Sequence, residues 1–311
     1  MSTTIVICTH DRVESLALTI DSLARVRFMA RHAVALLVVA NACSDDTHSF
    51  LVRLAREGLS NGLPMRWLAE PRPGKSFALN RAIEETRSET LCFVDDDQLV
   101  QEGFIEALSK AVADYPDHEI ICGKMRPAWD GSEPAWVHET GPYQIPIRPF
   151  PEFDLGDTSK DVGPGDKLPS GGNIAARRSV FSRAGVFSTQ IGPAGHNLKG
   201  GEDLEFIRRC IARGARIRYV PTIRQLHSIE QSRMALGYML RKSYWRSLSS
   251  TIISDKPLDR FQPYMLTKPF LFALRVPFTW RRNRRFYYMV RAASALGELH
   301  GVLQRRRGKI S

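Results

Sequence analysis

Four short apolar runs, each followed by a helix-like stretch, constrain this chain more than any other feature. Residues 4–8, 35–40, 65–68 and 91–94 are rich in Val, Ile and Leu and read as strands. Residues 13–24, 47–56, 76–86 and 104–113 read as the helices that follow them. Continuous apolar strands alternating with helices imply a parallel sheet buried on both faces. Ligands of such sheets bind beyond the carboxyl ends of the strands. Here those ends carry Thr9-His10-Asp11-Arg12, residues 41–46, residues 70–75 and Asp95-Asp96-Asp97. All four are polar, so topology and chemistry point to the same edge of the sheet.

Two acidic clusters, about a hundred residues apart in the sequence, concentrate the chemistry. Asp95-Asp96-Asp97 stands directly behind the apolar run Leu91-Cys92-Phe93-Val94. Capping the next helix needs only one carboxylate, and three adjacent ones repel each other. Their position at the end of a buried strand therefore suggests a hard divalent cation, Mg²⁺ or Mn²⁺, which also grips substrate phosphates. Glu202-Asp203 follows Gly200-Gly201 and opens a helical stretch. That pair has two readings from spacing alone: a helix amino end stabilised by the dipole, or a catalytic base.

Pro73-Gly74-Lys75-Ser76 looks like the end of a phosphate-binding P-loop, but the glycine which that motif needs at position 69 is Ala69. An ATPase is therefore not expected. Lys75 is still placed to reach an anionic ligand from the amino end of a helix. Residues 126–170 carry eight prolines, with Trp129 and Trp136 among them, and read as a loop-rich connector or a flap beside the site. Beyond it the sequence predicts a Gly171-Gly172-Asn173 turn, a helix over 178–184, a helix to about Arg213, and a strand over 215–220 before His227. Met234, Tyr238, Trp245, Leu248 and Ile252 recur at helical spacing, as do Phe286, Met289, Val290, Ala293, Leu296, His300 and Leu303.

Charge divides the chain. Of its 44 Lys+Arg and 33 Asp+Glu, residues 260–311 hold twelve cations against Glu298 alone, and the first 259 residues balance at 32 against 32. A neutral catalytic body thus carries a basic extension. Met1-Ser2-Thr3 runs straight into an apolar strand, so no signal peptide is expected. No segment has the roughly 18–20 uninterrupted apolar residues of a membrane span; the nearest, 269–280, is short and contains Arg275. The cysteines Cys8, Cys43, Cys92, Cys122 and Cys210 lack metal-ligand spacing and read as buried reduced thiols of a cytosolic protein.

Several motifs together resemble the inverting family-2 glycosyltransferases of the GT-A fold. Residues 5–12 (IVICTHDR) resemble their opening strand, and residues 38–47 (VVANACSDDT) their second-strand motif. Gly74-Lys75-Ser76 with Ala78-Leu79-Asn80 resembles the segment before their metal motif, and Asp95-Asp96-Asp97 that motif itself. Gly171-Gly172-Asn173 fits their acceptor-side turn. Residues 201–206 (GEDLEF) with Arg209 fit the catalytic-base helix, and His227 the late metal-side histidine. The likeness covers residues 4 to about 230. It departs where many members place an Asp to read uracil, since that position is Ala40; Asn41 or Asp45 is then expected to take over the contact.

The resemblance implies a GT-A catalytic domain over 1–227, with a nucleotide-sugar half (1–125) and an acceptor half (126–227), and a helical basic extension over 228–311. It implies transfer of a sugar from a nucleotide-sugar, expected to be a UDP-sugar, to a hydroxyl on a lipid-linked or cell-surface glycan precursor. Asp97 and His227 would hold Mn²⁺ or Mg²⁺, with Asp95 nearer the ribose. Thr9, Asp11, Arg12, Asn41, Asp45, Lys75, Asn80, Asp95 and Asp96 would face the donor, and Gly172, Asn173 and Arg209 the acceptor. Asp203 would be the base, beside Glu202, whose neighbouring charge and burial would raise its pKa. The expected location is cytoplasmic, peripheral on the inner face of the cell membrane. The arginines and aromatics of the extension (Phe270, Phe272, Phe278, Trp280, Phe286, Tyr287 and Tyr288) suit an anionic membrane surface. No nucleic acid is expected as partner. The alternatives are a nucleotidyltransferase on a similar sheet, which would want a Gly-rich loop after the first strand, and a nucleic-acid binder using the basic extension.

Overall fold

Apolar side chains alternating along central strands must find cover on both faces of a sheet, and the chain supplies it with helices. The computed structural model describes residues 2–29, 33–190, 201–254 and 264–308. The amino-terminal elements are β1 (Thr3–Thr9), α1 (Val13–Arg25), β2 (Val34–Asn41), α2 (Thr47–Glu57), β3 (Met65–Glu70), α3 (Lys75–Glu85) and β4 (Thr90–Asp95). With the last helix, these match the four expected strand–helix repeats to within about two residues at each end. That helix, α4 (Phe104–Asp114), comes after the short strand β5 (Gln98–Val100) and leads to β6 (Ile120–Pro127). Then come β7 (Lys160–Asp161), β8 (Ile174–Arg177), α5 (Arg178–Ala184), α6 (Glu202–Ala212) and β9 (Ile217–His227).

Among the described residues the nine strands form one sheet in the order β3-β2-β1-β4-β8-β6-β9-β5, with β7 pairing β9. Strands β3, β2, β1 and β4 are mutually parallel, whereas β8 runs antiparallel between β4 and β6. Period-two alternation sends Ile5 and Ile7 into one core with Leu16, Ile20, Leu51, Phe104 and Leu108. It sends Val6 into the other, with Ala78, Leu79, Phe181, Phe206 and Ile207. Both faces are therefore closed, and the carboxyl ends of the strands are the edge left for chemistry.

Strand β9 corrects the sequence reading, which ended it at Val220. Its register against β6 jumps from Gly123↔Val220 to Lys124↔Arg224, so residues 221–223 form a bulge. Pro221, which lacks an N–H for the ladder, sits in that bulge, and the strand resumes to reach His227. Antiparallel pairing of β5 with β9 then sets Gln98 opposite His227. This register ties the end of β9 to the acidic cluster. Cys92, Cys122 and Cys210 are buried, but Cys8 and Cys43 keep partial exposure, so the expectation of uniformly buried thiols holds for three of the five.

Two compact units divide the chain. The sheet unit comprises Met1–Ala128, Pro151–Gly195 and Glu202–Ser228. The second comprises Trp129–Phe150, His196–Gly201 and Ile229–Ser311, so about half of the proline-rich segment groups with the carboxyl-terminal helices. Its helices are α7 (Leu236–Ile253), α8 (Tyr264–Arg275) and α9 (Arg282–Gly308). Within this unit Trp136, Val137, Ile145 and Phe150 share a core with Met234, Met239 and Val290. Trp136 stacks on Phe286 at 4.7 Å between ring centroids, and Tyr143 meets Tyr287 edge-on at 5.7 Å. Helices α7 and α9 are pinned by a Ser247–Ser294 hydrogen bond of 2.6 Å and by Tyr244 with His300 at 2.5 Å.

Candidate active site

The polar strand ends assemble one constellation within the sheet unit, and its acidic members differ sharply in company. Asp96 is buried and accepts from Thr9 Oγ1 at 2.7 Å and from Arg12 Nη1 at 2.6 Å. Burial pushes its carboxyl up, Arg12 draws it down, and the net direction is upward. The Asp96 carbonyl also receives Ser15 and Thr19 Oγ from α1, each at 2.9 Å. Asp96 is thus the bracket that fastens the acidic turn to β1 and α1.

Asp97 is turned toward β9. Its Oδ2 accepts from Arg12 Nη1 and Nη2, each at 3.1 Å, and its Oδ1 lies 3.2 Å from His227 Nε2. His227 Nδ1 stands 2.8 Å from the Ser228 carbonyl, and the Ser228 N–H donates to the Asp97 carbonyl at 2.7 Å. A ring that donates Nδ1–H to a carbonyl presents Nε2 as a lone pair. Nε2 and the carboxylate oxygen Oδ1 thus stand side by side, 3.2 Å apart. Oxygen and imidazole donors so placed, both nearly buried, fit a divalent cation of the Mn²⁺ or Mg²⁺ kind.

Asp95 is held by Lys75, whose Nζ is 2.7 Å from Oδ1. Lys75 opens α3 behind Gly74, whose φ of 138° only glycine takes readily. Burial works against the Lys75 charge, but Asp203, Asp95 and Glu202 outweigh it and hold its pKa well above the ordinary value. One ammonium group thus lies within the field of both acidic clusters. Gln98, which the sequence did not single out, is fully buried and accepts the Asp95 N–H at 3.1 Å.

The second cluster begins at Gly201, with φ of 113°, after which Glu202 and Asp203 open α6; Gly200 lies outside the described residues. The Gly171 N–H donates to Asp203 Oδ2 at 2.8 Å. Asp203 Oδ1 and Glu202 Oε2 are buried without a hydrogen-bond partner among the described residues. Burial, then repulsion by Asp203, pushes the Glu202 carboxyl well above the ordinary carboxylate range, against the pull of Lys75.

The Gly171-Gly172 turn joins the two clusters. A Cβ at Gly171 would lie 2.4 Å from the Asp203 carboxyl, and one at Gly172 would lie 2.3 Å from Asp95 Oδ2. Consecutive glycines are therefore required where backbone passes between two carboxylates. Any side chain there would push one cluster or the other out of place.

Other expected ligand residues brace the frame. Asn41 is buried and donates to the carbonyls of Glu70 (3.1 Å) and Arg72 (2.7 Å), and it accepts from Gly74 N–H at 2.9 Å. Asp45 accepts the amides of Val13 and Thr47, and Asp11 those of Ser44 and Asp45. Asp11, Cys43 and Asp45 also form a three-member cluster of metal-ligand type, but these amide bonds account for both carboxylates. Asn80 exchanges bonds with the Phe187 backbone at 2.9 and 3.0 Å. Asn173 bridges to Gly123, donating to its carbonyl at 2.7 Å. Arg209 clamps Glu205 and the carbonyls of Ala184 and Val186. Each of these side chains fixes the loop that carries its neighbours.

Comparison with known proteins bears on this arrangement. The family model described as "Glycosyl transferase family 2" matches residues 4–185, from β1 through α5. The succinoglycan biosynthesis protein ExoM of Rhizobium meliloti (strain 1021) is 23% identical over 243 residues, 76% of this chain and 70% of that protein. A mannosyltransferase from Pyrobaculum calidifontis, PcManGT, solved with GDP-Man and Mn²⁺, superposes with a TM-score of 0.62 at 17% identity. That match covers 97% of this chain and 87% of the other. Residues 1–349 of S. aureus TarS, solved with UDP-GlcNAc, superpose with a TM-score of 0.51 at 15% identity, covering 99% and 92% of the two chains.

Proposed function

The chain belongs to glycosyl transferase family 2, on a GT-A fold, and from that membership we propose a divalent-metal-dependent, inverting transfer between a nucleoside diphosphate sugar and a hydroxyl of a glycan precursor. The observation that carries the reading is the Gly171-Gly172 turn, wedged between Asp95 on the metal side and Asp203 on the other. A donor gripped at the strand ends and an acceptor arriving beside α6 would meet across that turn.

In this mechanism Asp97 and His227 would hold the cation, with Arg12 fixing the Asp97 carboxylate from the other side. A cation held there would supply Lewis-acid charge to the departing diphosphate. Lys75 adds a fixed positive charge next to Asp95. Asp203 takes the proton of the attacking hydroxyl, oriented through Oδ2 by the Gly171 N–H and leaving Oδ1 for the incoming group. Glu202, pushed upward by burial and by Asp203, keeps its own proton and so spares the pair a second charge. Attack from the face opposite the leaving group inverts the anomeric carbon in one displacement.

ExoM, whose name places it in succinoglycan biosynthesis, supports a polysaccharide precursor as acceptor. PcManGT with GDP-Man and TarS with UDP-GlcNAc support a nucleotide-sugar as donor. Calorimetric titration with UDP and GDP, each with Mn²⁺ and with a chelator, tests the reading. One diphosphate should bind only when Mn²⁺ is present. Equal affinity under chelation would remove the metal from the proposal.

A further inference from the structure

The carboxyl-terminal unit holds a surface that the transfer reaction does not use. Helix α8 has two unlike faces. Met265 and Pro269 are buried, Phe272 packs on Tyr288 at 6.4 Å, and Lys268 pairs with Glu298 of α9 at 2.7 Å. On the other face Leu266, Phe270 and Leu274 recur at every fourth position, with Leu271 beside them. Phe270 is 77% exposed and Leu274 64%. The turn that follows adds Phe278 at 75% and Trp280 at 96%. Large apolar side chains exposed singly are ordinary, but a contiguous stripe of six is a docking surface.

Its rim is cationic. Arg275, Arg281, Arg282 and Arg285 are exposed, and no acidic residue occurs between positions 264 and 297. This decides among occupants. A second copy would bring like charges together along the whole stripe. A nucleic acid would meet the arginines but leave Leu266, Leu271 and Leu274 facing phosphate. An anionic bilayer satisfies both parts, since arginines meet headgroup phosphates while Leu, Phe and Trp enter the acyl boundary. The twelve residues of α8 span about 18 Å, against roughly 30 Å of hydrocarbon, and no helix among the described residues is long and apolar enough to cross a membrane. The stripe therefore suits a helix lying in the interface.

We propose that α8 and the Phe278–Trp280 turn form an interfacial wedge that docks this protein on anionic lipid. The surface is narrower than the sequence implies. Phe286, Tyr287 and Tyr288 lie in ring contacts with Trp136 and Tyr143, and Phe272 with Tyr288, so those four are half-buried by contacts within the unit. The inference goes beyond the transfer reaction and stands independently of it.

The test is flotation of the full chain with vesicles of phosphatidylcholine, alone or mixed with phosphatidylglycerol, while Trp280 emission is followed. Wild type should float with the anionic vesicles and show a blue shift that Trp280→Phe removes. Combined Phe270→Ser, Leu274→Ser and Phe278→Ser should weaken binding at least about tenfold with the thermal midpoint kept. Combined Arg281→Gln and Arg282→Gln should weaken it at low salt and flatten its salt dependence. The proposal is overturned if wild type ignores anionic vesicles, if the serine variant floats as well as wild type, or if emission does not shift. It is equally overturned if, without vesicle binding, the stripe mediates self-association or binds duplex nucleic acid. Should the serine variant unfold, the emission shift of wild type against Trp280→Phe still decides.

Discussion

The two acidic clusters of the site are built to opposite rules. Around Asp95-Asp96-Asp97, carboxylate oxygens meet Thr9, Arg12, Lys75 and His227 at 2.6 to 3.2 Å. Around Glu202 and Asp203 each carboxylate keeps one buried oxygen without a hydrogen-bond partner among the described residues. A buried, unsatisfied polar atom costs about 1–3 kcal/mol, and such a cost persists where a ligand will use the atom. On the proposed mechanism the first cluster is braced to bind and the second is left open to react.

If this contrast is right, substitutions in the two clusters should fail in different ways. The largest expected effect on binding is that of Asp97→Ala, which should lower Mn²⁺-dependent affinity for the nucleoside diphosphate by at least about 100-fold. The fold should survive, because Asp96 rather than Asp97 carries the bonds to Thr9, Ser15 and Thr19. Unchanged Mn²⁺-dependent affinity in calorimetry would end the metal assignment. The glycine turn gives the next effect and the sharpest pairing. Gly171→Ala should displace Asp203 and lower turnover with donor affinity kept, whereas Gly172→Ala should displace Asp95 and weaken donor affinity. Each should cost about 1–3 kcal/mol, the usual scale of overpacking. Kinetics in which the two variants behave alike would dissolve the contrast.

The smallest effect is on stability. The folded pKa of Glu202 is raised above its ordinary value of 4.5 by burial and by Asp203. Such a group contributes stability that is full below the unfolded value and is lost as pH rises through the folded one. Glu202→Gln removes that loss. Its stability relative to wild type should therefore grow from pH 4.5 toward neutral and alkaline pH, by on the order of 1 kcal/mol. Parallel melting curves at every pH would show that folding leaves the Glu202 pKa unshifted.

The four amino-terminal strands were legible because they are continuous apolar runs, a pattern that survives without any tertiary information; β6, β7 and β8 were not read. Nor was β5, since Gln98, Leu99 and Val100 are too few to carry a period. β9 was lost at Pro221, which reads as a break until the bulge opposite Gly123 and Lys124 explains it. Residues 129–150 hid a core because Trp136, Ile145 and Phe150 recur at no regular spacing. In the site, the members and their expected roles came from the motifs, but which of them brace the backbone did not. That Asn41, Asn80, Asn173 and Arg209 bond to backbone is a fact of loop geometry. The close passage of Gly171 and Gly172 between two carboxylates is a distance, and no spacing in the sequence encodes it.

The central claim is that Asp203 is the base, and Asp203→Asn tests it most directly when donor affinity and single-turnover transfer are measured on the same preparation. An amide keeps the size of the side chain but cannot take the proton of the acceptor hydroxyl. The account predicts donor affinity close to wild type and transfer slower by about 10²–10⁴-fold, the usual scale of general-base loss. A variant that bound donor weakly yet turned over bound donor at the wild-type rate would contradict it, and would make Asp203 a binding residue.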